Sequence, residues 1–359
     1  MHRRSIIRNA GIAGIIAAGA APAVHAQPVV RWRLASSFPK SLETIYGAAE
    51  VFSHRARQLS GGKFDISVHP AGELVPAFGV VDAVQGRTVD AAHTAPYYFF
   101  GKDETFAIGG AIPFGLNSRQ MSAWTFEGNG LRLMREFYAR YNIVHFACGN
   151  TGAQMGGWMR KQIASAADLK GLKFRIGGFA GKVIERMGGV PQNPPGGDIY
   201  AALEKGTIDA AEWIGPYDDQ KLGFNKVAPF YYYPGWWEGG LQLDLYINQR
   251  AFEALSAEHK AIVEAASAYA HVVTQARYDV KNPPALKELV AAGARLRPFP
   301  GDVMAQAFRH SMALYDELSS RNENWRKVYA DYTRFRSEQN LWFRFTEATF
   351  DRFMQSQKL

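Results

Sequence analysis

Residues 30–68, VRWRLASSFPKSLETIYGAAEVFSHRARQLSGGKFDISV, change their hydrophobic period twice and so indicate the fold class. Apolar and polar side chains alternate over residues 30–34, as in a strand with one buried face. Over residues 40–59 the apolar positions follow three-and-four spacing, which predicts a helix that ends at the glycine pair 61–62. Alternation resumes over residues 64–68. Strand, helix and strand in this order are the unit of an α/β sheet with parallel neighbours.

A short internal similarity indicates that the chain contains two such units. Residues 87–93, RTVDAAH, are similar to residues 206–212, GTIDAAE. Each segment follows a short helix-like piece, at residues 80–85 and 199–205. Two similar strand entries this far apart in the chain favour a protein of two α/β lobes.

The last third of the chain is predicted to be mainly helical. Ser256 can cap a helix that continues towards Tyr278, and the pair Pro283-Pro284 is predicted to end or kink it. Beyond residue 324, aromatic side chains recur at near-helical spacings: Trp325, Tyr329, Tyr332, Phe335, Trp342, Phe345 and Phe353. The sequence contains no low-complexity tract and no long flexible linker, so we expect ordered segments of the chain to connect the lobes.

Residues 1–26 have the pattern of a secretory signal peptide. Basic residues precede a weakly apolar run at 11–20, and the small-residue site at 24–26 is suited to cleavage. The apolar run is too short to span a bilayer as a helix. The adjacent pair Arg3-Arg4 indicates the twin-arginine export route. We therefore expect a periplasmic protein, and the alternative is an uncleaved anchor.

Composition excludes several classes of partner and chemistry. Without the leader, 38 basic and 33 acidic side chains leave a mild charge of +5, and no basic tract follows, so nucleic acid is not an expected partner. Cys148 is the only cysteine, so no intramolecular disulfide can form, and we expect it to be a small buried hydrophobe. Nine histidines include no HExxH or other zinc spacing, which disfavours a zinc hydrolase.

Residues 172–191, LKFRIGGFAGKVIERMGGVP, indicate a strand, a glycine turn and a helix in succession. They do not form a phosphate loop, because Val183 follows Lys182 where a hydroxyl is required and Ile176 replaces the first glycine. The paired glycine spacing of a dinucleotide site is also missing. What remains is Arg175 beside a helix N-terminus, an arrangement suited to a carboxylate. The alternative is an arginine on an exposed strand edge.

Like Arg175, several other polar residues lie next to the ends of predicted strands. Asn150 and Gln154 follow the strand predicted at residues 143–146, and Glu212 follows a third strand. Glu238, within the segment WWEGG, comes just before a fourth strand. These side chains raise the expectation that Arg175 belongs to a binding site.

The whole mature chain resembles the solute-binding proteins of tripartite ATP-independent periplasmic (TRAP) transporters. The resemblance is carried by four motifs: LASSFPKSL at 34–42, SAADLKGLKFRIGGFAGKV at 165–183, GGDIYAALEKGTIDAAEW at 196–213 and YYYPGWWEGG at 231–240. Within this family the sequence is most similar to the branch that binds 2-oxo acids such as pyruvate, or lactate, together with a cation.

The resemblance implies an α/β fold of the two-lobed, type II-like periplasmic binding protein class. A ligand cleft would lie between the lobes, which long helices would brace. Lobe I would comprise residues 27–152 and 240–281, and lobe II residues 153–239 and 282–359 with the C-terminal helices. The resemblance also suggests a homodimer, since a close relative exchanges its terminal helix between subunits.

The resemblance also implies a role for each candidate site residue. Arg175 would clamp the substrate carboxylate, and Asn150 would bond to its polar oxygens. The other substrate contacts would come from Gln154, Tyr97, Tyr98, Phe179 and Trp213. The cation would be held by Gln154, Glu212, Glu238 and the backbone carbonyl of Trp213. For each aromatic residue, ordinary core packing is the alternative.

The charges of these residues independently favour a cation once the cleft is accepted. Glu212, Glu238 and a substrate carboxylate supply three negative charges against one positive charge from Arg175. Like charges 4 Å apart repel by about 4 kcal/mol at an effective dielectric constant near 20. Either a carboxyl group is protonated or a cation enters, and oxygen ligands favour calcium or sodium over zinc. The alternative is that one glutamate faces solvent.

The sequence therefore predicts a periplasmic binding protein and not an enzyme. It would capture a small 2-oxo or 2-hydroxy monocarboxylate, such as pyruvate, 2-oxobutyrate or lactate, and deliver it to the membrane subunits of a TRAP permease. One alternative within binding is a larger ligand or a dicarboxylate. A secreted enzyme acting on oxo acids is a second alternative, although no nucleophile and base pattern is visible. A sensor module for a membrane kinase is the third.

Overall fold

The computed structural model describes residues 29–357 of the chain. The signal peptide and cleavage site predicted for residues 1–26 lie outside the described residues. Among residues 29–357, no helix combines the length and the apolar character needed to cross a membrane.

The described residues form eleven strands, most of them short. In chain order they are β1 (Val30–Ser36), β2 (Phe64–His69), β3 (Ala91–Thr94), β4 (Ile143–Asn150), β5 (Trp158–Met159), β6 (Lys173–Arg175), β7 (Val190–Gln192), β8 (Ala210–Ala211), β9 (Phe230–Tyr233), β10 (Gln242–Asn248) and β11 (Arg295–Pro298). These strands divide between two sheets.

Twelve α-helices between residues 29 and 357 surround the sheets. In chain order they are α1 (Ile45–Leu59), α2 (Val80–Gln85), α3 (Ser118–Phe126), α4 (Gly130–Ala139), α5 (Gly178–Arg186), α6 (Ile199–Glu204), α7 (Pro216–Leu222), α8 (Gln249–Glu253), α9 (Ala257–Ala291), α10 (Gly301–Arg321), α11 (Glu323–Phe345) and α12 (Glu347–Ser356). Short 3₁₀ turns join several of them, and the turn Pro96–Phe99 matters most for the site.

The two sheets carry the two lobes. The first sheet has the order β2-β1-β3-β10-β4, with β1 parallel to β2 and β3, and β10 antiparallel to β3 and β4. The second has the order β11-β9-β5-β8-β6-β7, with β6 parallel to β7 and β8. The mixed α/β architecture predicted from the sequence is confirmed.

The internal similarity corresponds to equivalent elements in the two sheets. The first copy begins two residues after α2 ends at Gln85 and runs into strand β3, which pairs with β1 in the first sheet. The second begins two residues after α6 ends at Glu204 and includes strand β8, which pairs with β6 in the second sheet. Each sheet therefore receives one copy of the same helix-to-strand connection.

The periodicity of residues 30–68 predicted β1, α1 and β2 correctly, although the helix begins later than expected. It starts at Ile45 because residues 39–42 form a turn, closed by a hydrogen bond of 3.1 Å from Leu42 N to Pro39 O. Leu42 is nevertheless fully buried. The apolar spacing therefore identified the buried face but not the first helical residue.

Helix α9 is longer than the sequence indicated. Ser256 caps it as predicted, accepting a hydrogen bond of 3.2 Å from His259 N. The helix does not end at Pro283-Pro284 but continues to Ala291, so of the two predicted outcomes the helix end is wrong. Tyr278 before the prolines and Leu289 after them are fully buried, so tertiary packing on both sides offsets the local cost of two prolines.

Helices α9 and α11 connect the two halves of the molecule. Helix α9 packs on β4 and α1 of the first half and on α7 of the second. Helix α11 packs on α10 and also on α3 and α4, where Trp124 Nε1 donates to Asp331 at 3.0 Å. Because these helices contact both halves, the residue boundaries that we expect for the lobes stay a prediction.

Candidate functional site

The candidate site lies where strands of both sheets end. Strand β6 ends at Arg175, β8 ends one residue before Glu212, and β4 ends at Asn150. The 3₁₀ turn that contains Tyr97 and Tyr98 follows β3. Ligands of α/β proteins bind at the carboxyl ends of such strands, where loops from neighbouring units converge.

The turn after β6 is built on two glycines. Gly177 caps α5, and Gly178 begins the helix with φ of +56°, in the left-handed region that glycine enters without strain. The second glycine therefore takes part in the first turn of α5.

Arg175 is almost completely buried and is held by the protein on two of its nitrogens. Nη1 donates to the backbone carbonyl of Glu212 at 2.8 Å and to its Oε1 at 2.5 Å. Nε donates to the carbonyl of Pro194 at 3.3 Å. The indole of Trp213 lies against the guanidinium, 5.0 Å from Cζ to the ring centroid. The arginine is oriented in advance and is not on an exposed edge.

Glu212 has one satisfied and one unsatisfied oxygen. Its Oε1 accepts hydrogen bonds from Arg175 and, at 2.9 Å, from Gly177 N. Its Oε2 is buried and has no hydrogen-bond partner within residues 29–357. Burial raises the pKa of Glu212, although Arg175 and the Gly177 N–H favour the charged form.

Glu238 and Gln154 approach the same place. The backbone of Gln154 donates to Glu238 O at 3.2 Å, and its side-chain nitrogen donates to Thr151 Oγ1 at 3.1 Å. Gln154 Oε1 and Glu238 Oε2 are buried without a partner among the described residues. Burial and the charge of Glu212 raise the pKa of Glu238 well above its ordinary range, although Tyr97 and Arg175 oppose the shift.

Asn150 completes what we call the Arg175 cluster: Arg175, Asn150, Gln154, Glu212 and Glu238. Its Oδ1 accepts from Gly152 N at 2.9 Å, while its Nδ2 is buried with no acceptor in the part of the chain that the structure describes. The cluster therefore presents one unpaired donor and three unpaired oxygens in a buried setting. Buried polar groups are almost always paired, so an arrangement like this is suited to a polar ligand and a cation.

The unpaired oxygens fit a hard cation. Two carboxylate oxygens and one amide oxygen are the ligand types that calcium and sodium prefer. Within residues 29–357, no three Asp, Glu, His or Cys side chains converge as they would in a zinc-like centre. The cation ligands predicted from the sequence include only two acidic side chains, Glu212 and Glu238. The role of the Trp213 carbonyl as a further ligand stays a prediction.

Tyr97 and Tyr98 contact the cluster from the first half of the molecule. The ring of Tyr97 lies directly on the glycine turn, because a Cβ added at Gly177 or Gly178 would come within 2.9 or 2.8 Å of it. The ring of Tyr98 is 5.1 Å from that of Tyr97, and its hydroxyl lies beside Arg175. The structure thus brings both predicted tyrosines to the site.

Phe179 is placed differently from the other predicted residues. Its ring packs against Tyr315 and Trp325, with centroids 5.3 Å away in each case. It therefore contributes to the core between α5, α10 and α11, and its contacts do not support a role in shaping the ligand pocket. One helical step after Gly178 rotates the side chain towards the C-terminal helices.

Two contacts of the site were missed from the sequence. Thr151 Oγ1 accepts from Gln154 and so leaves the amide oxygen unpaired. The carbonyl of Pro194 positions Arg175. A backbone carbonyl has no sequence signal, and Thr151 could have been noticed only as part of the polar run around Asn150.

Comparison with known proteins gives a consistent family. Residues 35–322 match the family described as bacterial extracellular solute-binding protein, family 7. The chain is 42% identical to a monocarboxylate 2-oxoacid-binding periplasmic protein of Nostoc sp., over 99% of this chain and 100% of the relative. Extracytoplasmic location is therefore a property of the family.

Solved structures of TRAP transporter solute-binding proteins share the two-lobed fold. One from Bordetella bronchiseptica is 48% identical with a TM-score of 0.91, covering 92% of this chain and 98% of that one. That protein is a mixed-occupancy dimer, with copurified calcium and picolinate bound in one active site and an apo site beside it in the same dimer. One from Pseudoalteromonas atlantica, with bound sodium and pyruvate, is 33% identical with a TM-score of 0.88, covering 92% and 100%. The chain belongs to the family 7 bacterial extracellular solute-binding proteins, which serve TRAP transporters.

Proposed function

We propose that this protein captures a small 2-oxo or 2-hydroxy monocarboxylate, such as pyruvate, 2-oxobutyrate or lactate, together with calcium or sodium. It would deliver the acid to the membrane subunits of a TRAP permease. The observation that carries the proposal is the Arg175 cluster, a buried guanidinium beside three oxygens that have no partner within residues 29–357.

Arg175 would bind the carboxylate of the ligand. Its Nε and Nη1 nitrogens donate to Pro194 and Glu212, so Nη2 remains for the ligand. Asn150 Nδ2 is a buried donor that could meet a 2-oxo or 2-hydroxy oxygen. Together these groups recognise two adjacent oxygen functions, which suits a 2-oxo acid better than a simple carboxylic acid.

Gln154, Glu212, Glu238 and the Trp213 carbonyl would hold the cation. A bound cation would supply positive charge that offsets the repulsion between the glutamates and the ligand carboxylate. It would also favour the ionised form of Glu238, whose pKa burial raises. The calcium in the Bordetella relative and the sodium in the Pseudoalteromonas relative support a cation of this kind.

We further propose binding without turnover. The family serves transport, and Cys148 is a poor nucleophile because it is fully buried, which raises the pKa of its thiol. The alternatives are a secreted oxo-acid enzyme and a binding protein for a larger ligand or a dicarboxylate. In the dicarboxylate case, a second positive group would be expected beside Arg175.

A thermal-shift panel of acids tests the ligand class. Pyruvate, 2-oxobutyrate, lactate, propionate and succinate would each be added with calcium or with sodium. We expect the first three to raise the melting temperature more than propionate or succinate, because only they present adjacent oxygens without a second carboxylate. A larger shift with succinate would favour the dicarboxylate alternative, and consumption of pyruvate, followed by NMR, would favour the enzyme.

We propose export by the twin-arginine route, based on Arg3-Arg4 and the cleavage site at 24–26. Replacing both arginines by lysine should leave the precursor in the cytoplasm, as detected by cell fractionation. Continued export of this variant would indicate the general secretory route instead.

We propose a homodimer formed through the C-terminal helices. The end of α11 and helix α12 expose large apolar side chains: Leu341, Trp342, Phe345, Phe350 and Phe353. This is more apolar surface than a single chain normally leaves to water, and exchange of an identical element would cover it. Truncation after Ser337 should therefore convert a dimer to a monomer in light scattering. A full-length chain that is monomeric at micromolar concentration would reject this proposal.

A further inference from the structure

An exposed group of charges joins the two halves of the molecule outside the ligand site. Glu43, in the connection between β1 and α1, accepts hydrogen bonds from Lys221 Nζ at 2.7 Å, from Lys281 Nζ at 2.8 Å and from the Tyr217 hydroxyl. Tyr217 and Lys221 lie on α7, which follows β8 of the second sheet. We call these four residues the Glu43 cluster.

The cluster is a network and not a single ion pair. Hydrogen bonds from Lys221, Lys281 and Tyr217 lower the pKa of Glu43 to about 2, so its carboxylate is charged throughout the neutral range. Lys281 Nζ also donates to the Tyr217 hydroxyl at 2.8 Å and lies 4.3 Å from the centroid of that ring. An isolated exposed ion pair contributes little, but several charges around one carboxylate contribute more.

Two members of the cluster lie in the half opposite to Glu43. Glu43 belongs to the half that contains β1 and α1, whereas Tyr217 and Lys221 lie on α7, beside the second sheet. Lys281 lies on α9, which packs on α1 and β4 as well as on α7. The contacts that cross between the halves are therefore those of Glu43 with Tyr217 and Lys221, and separation of the halves would break them.

The structure assigns to Glu43 the role of a positioning residue that keeps the two lobes closed around the ligand. It does so without touching the ligand, by binding Tyr217 and Lys221 of α7 from the opposite lobe. The favourable contacts exist only in the closed arrangement, so they shift the population towards it. The test of this inference that measures pyruvate binding rests on the proposed function. The test that measures the distance between the lobes does not.

The first experiment measures the rates of pyruvate binding in the presence of calcium, by stopped-flow tryptophan fluorescence. Glu43→Gln should raise the dissociation rate about threefold to tenfold and leave the association rate nearly unchanged. The matched control is Asp82→Asn. It breaks a comparable pair, from Asp82 to Lys102 Nζ at 2.6 Å, which lies within one half of the molecule. The control should change neither rate.

A double-mutant cycle tests whether Glu43 acts through Lys221. Lys221→Gln should also raise the dissociation rate, and the double variant Glu43→Gln/Lys221→Gln should show less than the product of the two effects. The melting temperature of the ligand-free protein should change little in any of these variants. Full additivity would show that Glu43 does not act through Lys221, and it would overturn the inference.

The second experiment needs no ligand. Spin labels at the exposed positions Gln58 on α1 and Glu204 on α6 report the distance between the lobes by pulsed EPR. Glu43→Gln should shift the ligand-free distribution towards longer distances, and Asp82→Asn should not. If the wild type fails to bind pyruvate while this shift occurs, the proposed function fails and the role of Glu43 stands. If pyruvate binds normally and Glu43→Gln matches the control in both experiments, the role of Glu43 is refuted.

Discussion

Two buried carboxylate groups seven residues apart on the chain, at Glu212 and Asp219, differ in how their oxygens are satisfied. Asp219 Oδ2 accepts from Trp158 Nε1 at 3.0 Å and from the Tyr231 hydroxyl at 2.7 Å, and its Oδ1 accepts from Ile214 N at 3.3 Å. Glu212 Oε2 has no such donor within residues 29–357. We call Asp219 and its three donors the Asp219 cluster.

The comparison shows which property distinguishes a binding site from a structural polar core. Burial raises the carboxyl pKa in both clusters, to about 7 at Asp219, so burial and a raised pKa do not separate them. The hydrogen bonding of the carboxylate oxygens distinguishes the two clusters. Every oxygen of Asp219 has a protein donor, whereas the Arg175 cluster keeps three buried oxygens that have none in the described part of the chain. We therefore expect substitutions in the Asp219 cluster to alter stability and substitutions in the Arg175 cluster to alter ligand binding.

The largest effect is expected for Arg175→Lys. Lysine keeps the charge but cannot reproduce the planar fork, so charge-assisted hydrogen bonds to the ligand are lost, and affinity for pyruvate should fall about a hundredfold. Isothermal titration calorimetry measures the affinity, and circular dichroism checks that the variant remains folded. Arg186→Lys, which changes an arginine paired with Glu317 at the surface, is the matched control and should bind normally. An unchanged affinity in Arg175→Lys would contradict the assignment.

The next effect concerns the cation, and Glu238→Gln tests it without disturbing the hydrogen bonds of Arg175. Removing one charged oxygen should lower the affinity for calcium and for pyruvate together, each by about tenfold to thirtyfold, because thermodynamically coupled sites each respond to the loss of the other. Glu212→Gln should act in the same direction and more strongly, because Glu212 also holds Arg175. Calorimetry with each ligand as titrant gives both constants. A fall in calcium affinity alone would show that the cation does not contact the ligand site.

A smaller loss of affinity is expected for Gly178→Ala. The new Cβ would meet the Tyr97 ring at 2.8 Å, and the φ of +56° is unfavourable for alanine. The two halves should then close less tightly over Arg175, and affinity should fall about tenfold. Gly181→Ala lies on the same helix, where the nearest atom to the new Cβ is at 3.4 Å, and should bind as the wild type does. Equal affinities for the two variants would show that contact of Tyr97 with the glycine turn is irrelevant to binding.

The Asp219 cluster should affect pH dependence and not binding. A buried aspartic acid whose pKa is about 7 in the folded state, against an ordinary pKa of 3.8, binds its proton more tightly in the folded state. Its contribution to stability is therefore fully present below pH 3.8 and is lost as the pH rises to 7, by up to about 1.4 kcal/mol per pH unit.

The variant Asp219→Asn tests this expectation. Urea unfolding between pH 4 and pH 8 should show a smaller loss of stability with rising pH than in the wild type, and pyruvate affinity should be nearly unchanged. An unchanged slope would mean that Asp219 is ionised in the folded protein. A large loss of affinity would remove the distinction between the two clusters.

The sequence predicted the elements that depend on local patterns. The alternation and helical spacing of residues 30–68 identified β1, α1 and β2, and Ser256 was recognised as a cap because its hydroxyl acts within one turn. The glycine turn after Arg175 was recognised for the same reason. Each of these features is determined by residues that are close together in the chain.

Features set by distant contacts could not be predicted from local sequence patterns. Helix α9 continues through Pro283-Pro284 because residues on both sides of the prolines are buried against different partners. Phe179 faces the C-terminal helices because of the orientation of α5. Gln154 and Glu238 are far apart in the sequence. Their positions beside predicted strands suggested a common site, and the resemblance to a family supplied their role as cation ligands.

The central claim is that the Arg175 cluster binds a carboxylate and a cation as one unit. The most direct measurement is a calorimetric titration of the wild-type protein with pyruvate, in calcium-containing buffer and in buffer free of both calcium and sodium. Three unpaired oxygens beside the ligand carboxylate predict that affinity falls at least about tenfold when the cation is withheld. Equal affinity in the two buffers would contradict the claim.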